Sequence, residues 1–361
     1  MFLLFAVSNL YVIFRLWRLI PASAPALRIA VVSICILLTV SFFVGMAARS
    51  WDIPVWAVSL FYRIGSDMIM IFLYLLLAFV LGDILRLVHL LPRGVMVANW
   101  TTSAWLAGFI AVVFTVGSIG YHNKRRVEIA LEADIDRPLT VVAASDLHLG
   151  FGIGRGELSR WVDIINSEKP DAVLLAGDVI DTSVRPLWQG DYAAELRRLD
   201  APWGVFAIPG NHEYISDIDS SIRFFTHAGI TPLRDSIAVL AGGVVIVGRD
   251  DRPRDGRKTI EELTASLFDD QTTILLDHQP YRLDEAADAG IDLQISGHTH
   301  RGQIWPITWI TDRMFECSHG HYQKGSTRYY ITQGLGIWGG KLRIGSRSEY
   351  IVINITPRKH K

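Results

Sequence analysis

The sequence predicts a helical transmembrane module followed by an α/β domain, a layered β-sandwich flanked by helices. Long apolar runs dominate up to residue 120, and from Leu139 onward short apolar segments alternate with amphipathic ones. The chain is 50% hydrophobic and only 20% charged, which is apolar for a soluble protein of 361 residues. We therefore predict a transmembrane module over 1–120 with about four helices, a charged linker over 121–137 and a soluble domain over 138–361.

Four segments of the first part are candidates to cross a bilayer. Segments 27–47 and 100–119 are apolar over the ~20 residues that a span needs. Segment 68–91 continues past Asp83, because Asp83 and Arg86 lie three residues apart on a helix and can pair.

The first candidate, 1–14, is the weakest, and a signal peptide is its alternative. It ends at Arg15 and Arg18, whose long side chains can extend to the interface. Four spans are predicted, or three without this segment. Lysine and arginine are balanced between the two sides of the membrane. Only the arginines after the first span favour an outside N-terminus and an extracytoplasmic soluble domain.

The soluble part combines short buried strands with amphipathic helices. Helices are predicted over 157–166 and 192–199. Continuous apolar runs of this kind are typical of sheets that are covered on both faces. Strands are predicted over 140–145, 172–176, 204–208, 244–247, 273–276, 293–296, 329–332 and 350–355.

Polar clusters follow five of these strands, at the sheet edge where α/β domains bind ligands. The clusters are Ser145-Asp146-Leu147-His148, Gly177-Asp178-Val179-Ile180-Asp181, Gly210-Asn211-His212-Glu213, Asp277-His278-Gln279-Pro280 and Gly297-His298-Thr299-His300. Taken singly each is weak evidence, but together they hold five of the 11 histidines. Mixed imidazole, carboxylate and amide ligands suit Mn, Fe or Zn. A set this large predicts two divalent ions, which can clamp a phosphoryl group between them.

The order D-x-H, G-D-x-x-D, G-N-H-E, H-x-P and G-H-T-H resembles the calcineurin-like metallophosphoesterase superfamily, over about the whole soluble domain. The membrane module, G-H-T-H-R-G-Q and a late G-L-G-x-x-G resemble its transmembrane subgroup. That subgroup is similar to bacterial enzymes that act on lipid-linked pyrophosphates such as UDP-diacylglucosamine.

The resemblance implies a role for each matching residue. Asp146, His148 and His300 would hold the first metal, Asp178 would bridge both, and Asn211, His278 and His298 would hold the second. His212 would be catalytic rather than a ligand, donating a proton to the leaving oxygen or stabilising its charge.

Further residues keep two interpretations each. Asp181 orients a ligand or caps a helix, and Glu213 supports His212 or is solvated. Arg301 is placed to contact a phosphate, although many relatives have glycine there. Trp305, Trp309 and Trp338 are core residues or form an apolar rim that faces the bilayer. The run Cys317, His319 and His321 lacks the partner pair of a third metal site.

The predicted function is membrane-anchored hydrolysis of phosphodiester or pyrophosphate bonds, on a phosphate ester that the anchor suggests is lipid-linked. The alternative is a catalytically quiet scaffold or sensor on the same fold. The predicted location is a bacterial inner membrane, with the lipid bilayer as a partner. With a net charge of −1, no nucleic-acid partner is expected.

Overall fold

A computed structural model describes residues 2–240, 243–268 and 271–358. The chain divides into two compact units. The first comprises Met1–Ile119 with Gly339–Leu342, and the second comprises Gly120–Trp338 with Arg343–Lys361.

Among the residues that the structure describes, the first unit contains four helices, α1 (Phe2–Leu19), α2 (Pro25–Ala47), α3 (Val55–Leu87) and α4 (Trp100–His122), the last of which ends in the second unit. Two short 3-10 turns, Ala48–Ser50 and Arg93–Met96, lie between them. Within the described residues, three helices, α2, α3 and α4, are long and apolar enough to cross a membrane. The first predicted span began at Met1, which lies outside the described residues; helix α1 covers the rest of that segment.

Of the two arginines of α1 that we expected to reach the membrane surface, Arg15 is instead buried. Arg15 is 5% exposed, and its Nη1 lies 2.6 Å from Asp83 Oδ1 on α3. Tyr11 donates to the same carboxylate at 2.6 Å. Arg86, the partner predicted for Asp83, lies farther away at 3.6 Å. A buried cation needs a counter-charge more than it needs the interface, so α1 is joined to α3 by polar contacts.

In the described part of the chain, the second unit contains two six-stranded sheets. The first has the order β1-β12-β2-β3-β4-β5 and the second has the order β10-β11-β9-β8-β7-β6. The strands are β1 (Lys124–Ala133), β2 (Leu139–Ala144), β3 (Ala172–Ala176), β4 (Val205–Ile208), β5 (Ile230–Pro232), β6 (Ser236–Val239), β7 (Val245–Gly248), β8 (Thr273–Leu276), β9 (Leu293–Ser296), β10 (Gly320–Lys324), β11 (Thr327–Ile331) and β12 (Ser348–Pro357).

The sheets pack face to face through a core that takes apolar side chains from both, among them Leu174 and Ile274. Helices cover the outer faces, as the core around Trp161 on the first sheet and the core around Leu263 on the second indicate. This architecture confirms the predicted sandwich flanked by helices. The helices are α5 (Arg155–Ser167), α6 (Arg185–Gln189), α7 (Tyr192–Leu196), α8 (Asn211–Ile215), α9 (Ile218–His227), α10 (Ile260–Thr264), α11 (Asp284–Asp288) and α12 (Ile307–Met314).

The linker predicted at 121–137 is wrong as a description of this segment. Lys124–Ala133 forms the edge strand β1, which pairs in parallel with β12 from Lys124–Ser348 to Ala133–Pro357. Its charged residues alternate with apolar ones, and Ile129 and Leu131 enter the core between the sheets. An edge strand tolerates charges on its outer side, so the polar composition does not exclude pairing.

Candidate metal centre

Loops from both sheets meet at one edge. Strands β2, β3 and β4 are parallel in the first sheet, and β7, β8, β9 and β11 are parallel in the second. Each predicted site residue follows the carboxyl end of one of these strands, as expected for an α/β site. The structure brings all seven predicted ligands to this edge, and six of them form two neighbouring groups of three.

The first group is Asp146, His148 and His300, contributed by the loops after β2 and β9. The Nε2 atoms of His148 and His300 lie 3.0 Å apart. Asp146 Oδ1 lies 3.4 Å from His300 Nε2 and 3.8 Å from His148 Nε2. Asp146 and His148 are buried, with 0% and 2% exposure. Three donor atoms thus converge from two sheets on a volume the size of one ion.

The second group is Asp178, His278 and His298, from the loops after β3, β8 and β9. Asp178 Oδ2 lies 3.1 Å from His278 Nε2, and also 3.7 Å from His148 Nε2 in the first group. Asn211 adds its amide oxygen, 2.8 Å from His298 Nδ1. One oxygen of Asp178 therefore faces donors of both groups.

His212 lies at the first turn of α8, beside these groups. Its Nδ1 is 3.1 Å from Asp181 Oδ1, and its backbone N–H donates to Asp178 Oδ1 at 2.9 Å. Burial disfavours the charged imidazolium, but the carboxylates of Asp178 and Asp181 outweigh burial and raise the pKa of His212 to about 9. Asp181 therefore orients a histidine. The helix-cap interpretation is not supported, because α6 begins at Arg185 with Val184 as its cap.

The donor atoms fit divalent transition metals. In each group they all lie within 4.8 Å of one another. His278 Nδ1 faces the Ala176 carbonyl oxygen at 2.8 Å, and Nδ1–H donation leaves the Nε2 lone pair free. That Nε2 is buried without a hydrogen-bond partner, as a ligand atom is before it receives a cation. Four imidazoles with carboxylates and an amide are a donor set for Mn, Fe or Zn.

The backbone at the ligands is strained. Asp146, His148, Asp178, His298 and His300 all have φ between 46° and 69°. This left-handed region is uncommon for residues with a Cβ, and such conformations persist where the surrounding structure enforces them, often at functional sites. Five of the seven predicted ligands share the feature, which is independent of the sequence motifs.

Two glycines of the motifs are required by close approach. A Cβ on Gly210 would overlap Asp178 Oδ1, and one on Gly297 would overlap the side chains of Ser145 and Asp146. The clashing atoms are short, buried groups that cannot swing away. Glycine therefore allows neighbouring loops to pack tightly enough to converge their ligands.

Glu213 is not solvated, which excludes one of its two interpretations. Its exposure is 0%. Its carboxylate accepts hydrogen bonds from the backbone N–H groups of Asp178 at 3.0 Å, Ile180 at 2.8 Å and Gly210 at 2.7 Å. Burial and the neighbouring Asp178 raise the pKa of Glu213 to about 8, against the lowering effect of the N–H groups. Glu213 thus ties the loop of Asp178 to the loop of Asn211.

Replacing Glu213 with alanine is expected to destabilise the domain and reduce its metal content. Three buried N–H groups would lose their acceptor, at about 1–3 kcal/mol for each left unsatisfied. The midpoint of thermal unfolding and the bound metal per chain measure the effect. Glu213→Gln keeps an acceptor oxygen and should lose less, and the exposed Glu132→Ala on β1 should change neither. An unchanged midpoint in Glu213→Ala would contradict the role of Glu213 in connecting the two loops.

The remaining predicted residues are engaged by protein groups. Arg301 donates to the Gly345 carbonyl oxygen at 3.0 Å, and its Nη2 lies 3.6 Å from Asp312. His319 Nδ1 is 2.9 Å from Ser318 Oγ, whereas the His321 ring packs against Tyr330. Over the described ranges, no group of candidate metal ligands includes Cys317, His319 or His321. A third metal site is therefore not supported.

Arg343 is a buried residue of this edge that sequence reasoning missed. It is 2% exposed, and it donates to the Gly336 carbonyl at 2.7 Å and the His300 carbonyl at 3.2 Å. Its Nη2 also lies 3.4 Å from His300 Nδ1. Burial lowers the pKa of Arg343 to about 10, still high enough to keep it cationic at neutral pH. Arg343 therefore links the loop of residues 334–336 to the candidate ligand His300. Arg343 and His300 are 43 residues apart in the sequence.

The segment that carries the candidate metal ligands matches the model of a known protein family. A model described as calcineurin-like phosphoesterase matches residues 139–302. An uncharacterized metallophosphoesterase of Aquifex aeolicus is 31% identical over 60% of this chain and 85% of its own length. The transmembrane protein with metallophosphoesterase domain of Danio rerio is 32% identical, over 58% of this chain and 52% of its own.

An uncharacterized metallophosphoesterase of Helicobacter pylori is 30% identical over 62% of this chain and 61% of its own length. The chain thus spans about three fifths of the length of such relatives. The transmembrane relative supports assigning this chain, with its apolar helices, to the membrane proteins.

Proposed function

This chain belongs to the calcineurin-like phosphoesterase family, and we propose that it is a multi-pass membrane enzyme that uses two divalent transition metal ions to hydrolyse phosphodiester or pyrophosphate bonds. What supports the proposal most is the shared position of Asp178. One of its oxygens faces His278 of one group and His148 of the other. A carboxylate between two ligand groups is what a pair of cations requires.

The chain's own residues supply binding, orientation and proton transfer. Asp146, His148 and His300 would hold one cation, Asn211, His278 and His298 would hold the other, and Asp178 would contact both. When bound, such cations polarise a phosphoryl group and acidify a water molecule for attack on phosphorus.

His212 stands beside both groups without being needed by either. Asp181, 3.1 Å from its Nδ1, fixes the ring and stabilises its protonated form. The other ring nitrogen can then give a proton to the leaving oxygen. A third group, His148, Asp178 and His212, also brings its donor atoms within 4.8 Å of one another, so metal binding by His212 is the alternative to proton donation.

We infer that the substrate is lipid-linked. This inference is supported by the short connection between the membrane helices and the soluble domain. The apolar helix α4 ends at His122 and β1 begins at Lys124, so only Asn123 separates them. A domain tethered this closely works at the bilayer surface, where a lipid-linked phosphodiester or pyrophosphate such as UDP-diacylglucosamine is concentrated. The inner membrane of a bacterium, with the catalytic domain on the extracytoplasmic side, is the proposed location.

Hydrolysis by the detergent-purified chain of 361 residues tests this function. The substrates are bis-p-nitrophenyl phosphate, a phosphomonoester, a phospholipid and UDP-diacylglucosamine, each with Mn and with a chelator. We expect chelator-sensitive cleavage, with the lipid-linked pyrophosphate cleaved far faster than the generic diester.

Other outcomes would count against specific parts of the proposal. Cleavage of the generic diester alone would overturn the lipid-linked substrate and leave the anchor as a tether. Bound metal with no cleavage of any substrate would overturn the enzymatic role in favour of a scaffold or sensor.

A further inference from the structure

Helix α12 has its polarity reversed relative to a surface helix of a soluble domain. Its two threonines point inward, with Thr308 3% and Thr311 7% exposed. Its large apolar residues point outward: Trp309 is 63%, Ile310 57% and Met314 67% exposed. A helix at a water-facing surface normally buries its large apolar residues and exposes its polar ones.

The apolar surface continues beyond the helix. Trp305 and Ile307 are 39% and 38% exposed, and the Trp305 ring meets the Trp309 ring edge-on with centroids 5.4 Å apart. The core-packing interpretation of Trp305 and Trp309 is therefore not supported. Together with Ile310 and Met314 they form one face, the α12 face, and a contiguous exposed apolar patch marks an interaction surface.

The α12 face is fixed to the loop of a candidate metal ligand. The turn His300–Gly302 leads into α12, and a Cβ on Gly302 would lie 2.7 Å from the Ile307 carbonyl and 2.5 Å from Thr311 Oγ1. The Trp305 N–H donates to the Ile344 carbonyl at 2.7 Å. The face is thus packed firmly against the edge that carries His300.

We propose that the α12 face inserts into the interfacial region of the lipid bilayer that the chain's own helices span. Tryptophan is favoured at that depth, because its ring is apolar and its N–H is polar. The exposed Arg313 on the same helix supplies a cation for lipid phosphates. The single residue between α4 and β1 keeps the domain within reach of this surface.

Insertion gives the site direct access to the membrane. A lipid-linked substrate would move along the α12 face to reach His300 without leaving the bilayer, a use that rests on the proposed function. Insertion itself does not depend on catalysis, so the two fail separately.

Lipid-quenching in nanodiscs tests insertion. The full chain carries Cys35→Ala and Cys317→Ser, removing its two cysteines, and a fluorophore is attached at Ile310→Cys. Val239→Cys and Phe268→Cys are matched controls, with 59% and 74% exposure. Val239 pairs with Val245 at the start of β7, and Phe268 precedes β8, so both lie at the opposite ends of the strands.

We expect brominated phosphatidylcholine to quench the label at position 310 several-fold more than either control, with a blue-shifted emission. Equal quenching at all three positions would overturn the proposal. A blue shift without bromine quenching would also overturn it, because it would show that protein covers the face.

A functional measurement separates access from catalysis. Trp309→Ser with Met314→Ser should reduce turnover of UDP-diacylglucosamine severalfold in nanodiscs while leaving bis-p-nitrophenyl phosphate cleavage unchanged. Equal losses on both substrates would indicate damage to the site and would contradict an access role.

Discussion

Asp178→Asn is expected to abolish hydrolysis and to lower the bound metal from two ions per chain to at most one. The substitution is isosteric, but it removes a negative charge from the oxygen that faces His278 at 3.1 Å and His148 at 3.7 Å. Lewis-acid stabilisation by a metal is worth several kcal/mol. A loss of about 4 kcal/mol corresponds to roughly a thousandfold in rate, so turnover should fall by at least this factor.

Elemental analysis of the purified chain and turnover on the generic diester measure the two effects together. Asp251→Asn is the matched control. Asp251 is equally buried, accepts from Gln279 at 2.9 Å, and belongs to none of the ligand groups found in the described ranges. This variant should keep its metal. Full metal content in Asp178→Asn would refute the bridging position.

The candidate metal centre was predictable because the sequence patterns that indicate it are local. Strands β3, β8 and β9 are short, continuous apolar runs, and their boundaries match the predicted ranges. Parallel strands that are buried on both faces read in this way. Once the strands are placed, the polar residue that follows each one must lie at a common edge, which brought Asp178, His278 and His298 together without any distance information.

Features that depend on contacts between distant segments were not predictable in this way. Strand β1 was missed because its charges resemble a linker, although its alternation at Ile129 and Leu131 was visible. The sequence around Glu213 does not show whether its carboxylate is buried or solvated. Burial depends on three backbone N–H donors that lie in the loops after β3 and β4. Arg343 reaches His300 across 43 residues.

The sequence left the orientation of α12 open for a related reason. A short helix with Trp309 and Ile310 is most simply placed in a core, because apolar residues usually face inward. Which side of a helix is covered is decided by the neighbours, and here Gly302 and the turn after His300 occupy the side of Thr311. The same sequence therefore supports either interpretation until its neighbours are placed.

His212→Ala is expected to reduce turnover by about 10²–10⁴ and leave both metal ions bound. We propose that His212, whose Nδ1 lies 3.1 Å from Asp181 Oδ1, gives a proton to the leaving oxygen. The loss should depend on the leaving group. Departure of p-nitrophenolate needs little protonation, so a diester with an alkyl leaving group should lose far more than bis-p-nitrophenyl phosphate.

The same variant distinguishes proton donation from metal binding, because His148, Asp178 and His212 also lie close enough to hold a cation. Loss of one metal ion in His212→Ala, with equal rate losses for both leaving groups, would make His212 a ligand and contradict the proposed acid. Retained metal, with a rate loss that depends on the leaving group, would instead support proton donation by His212. The two variants would then separate the two components of the reaction, because Asp178→Asn removes metal binding and His212→Ala removes proton donation.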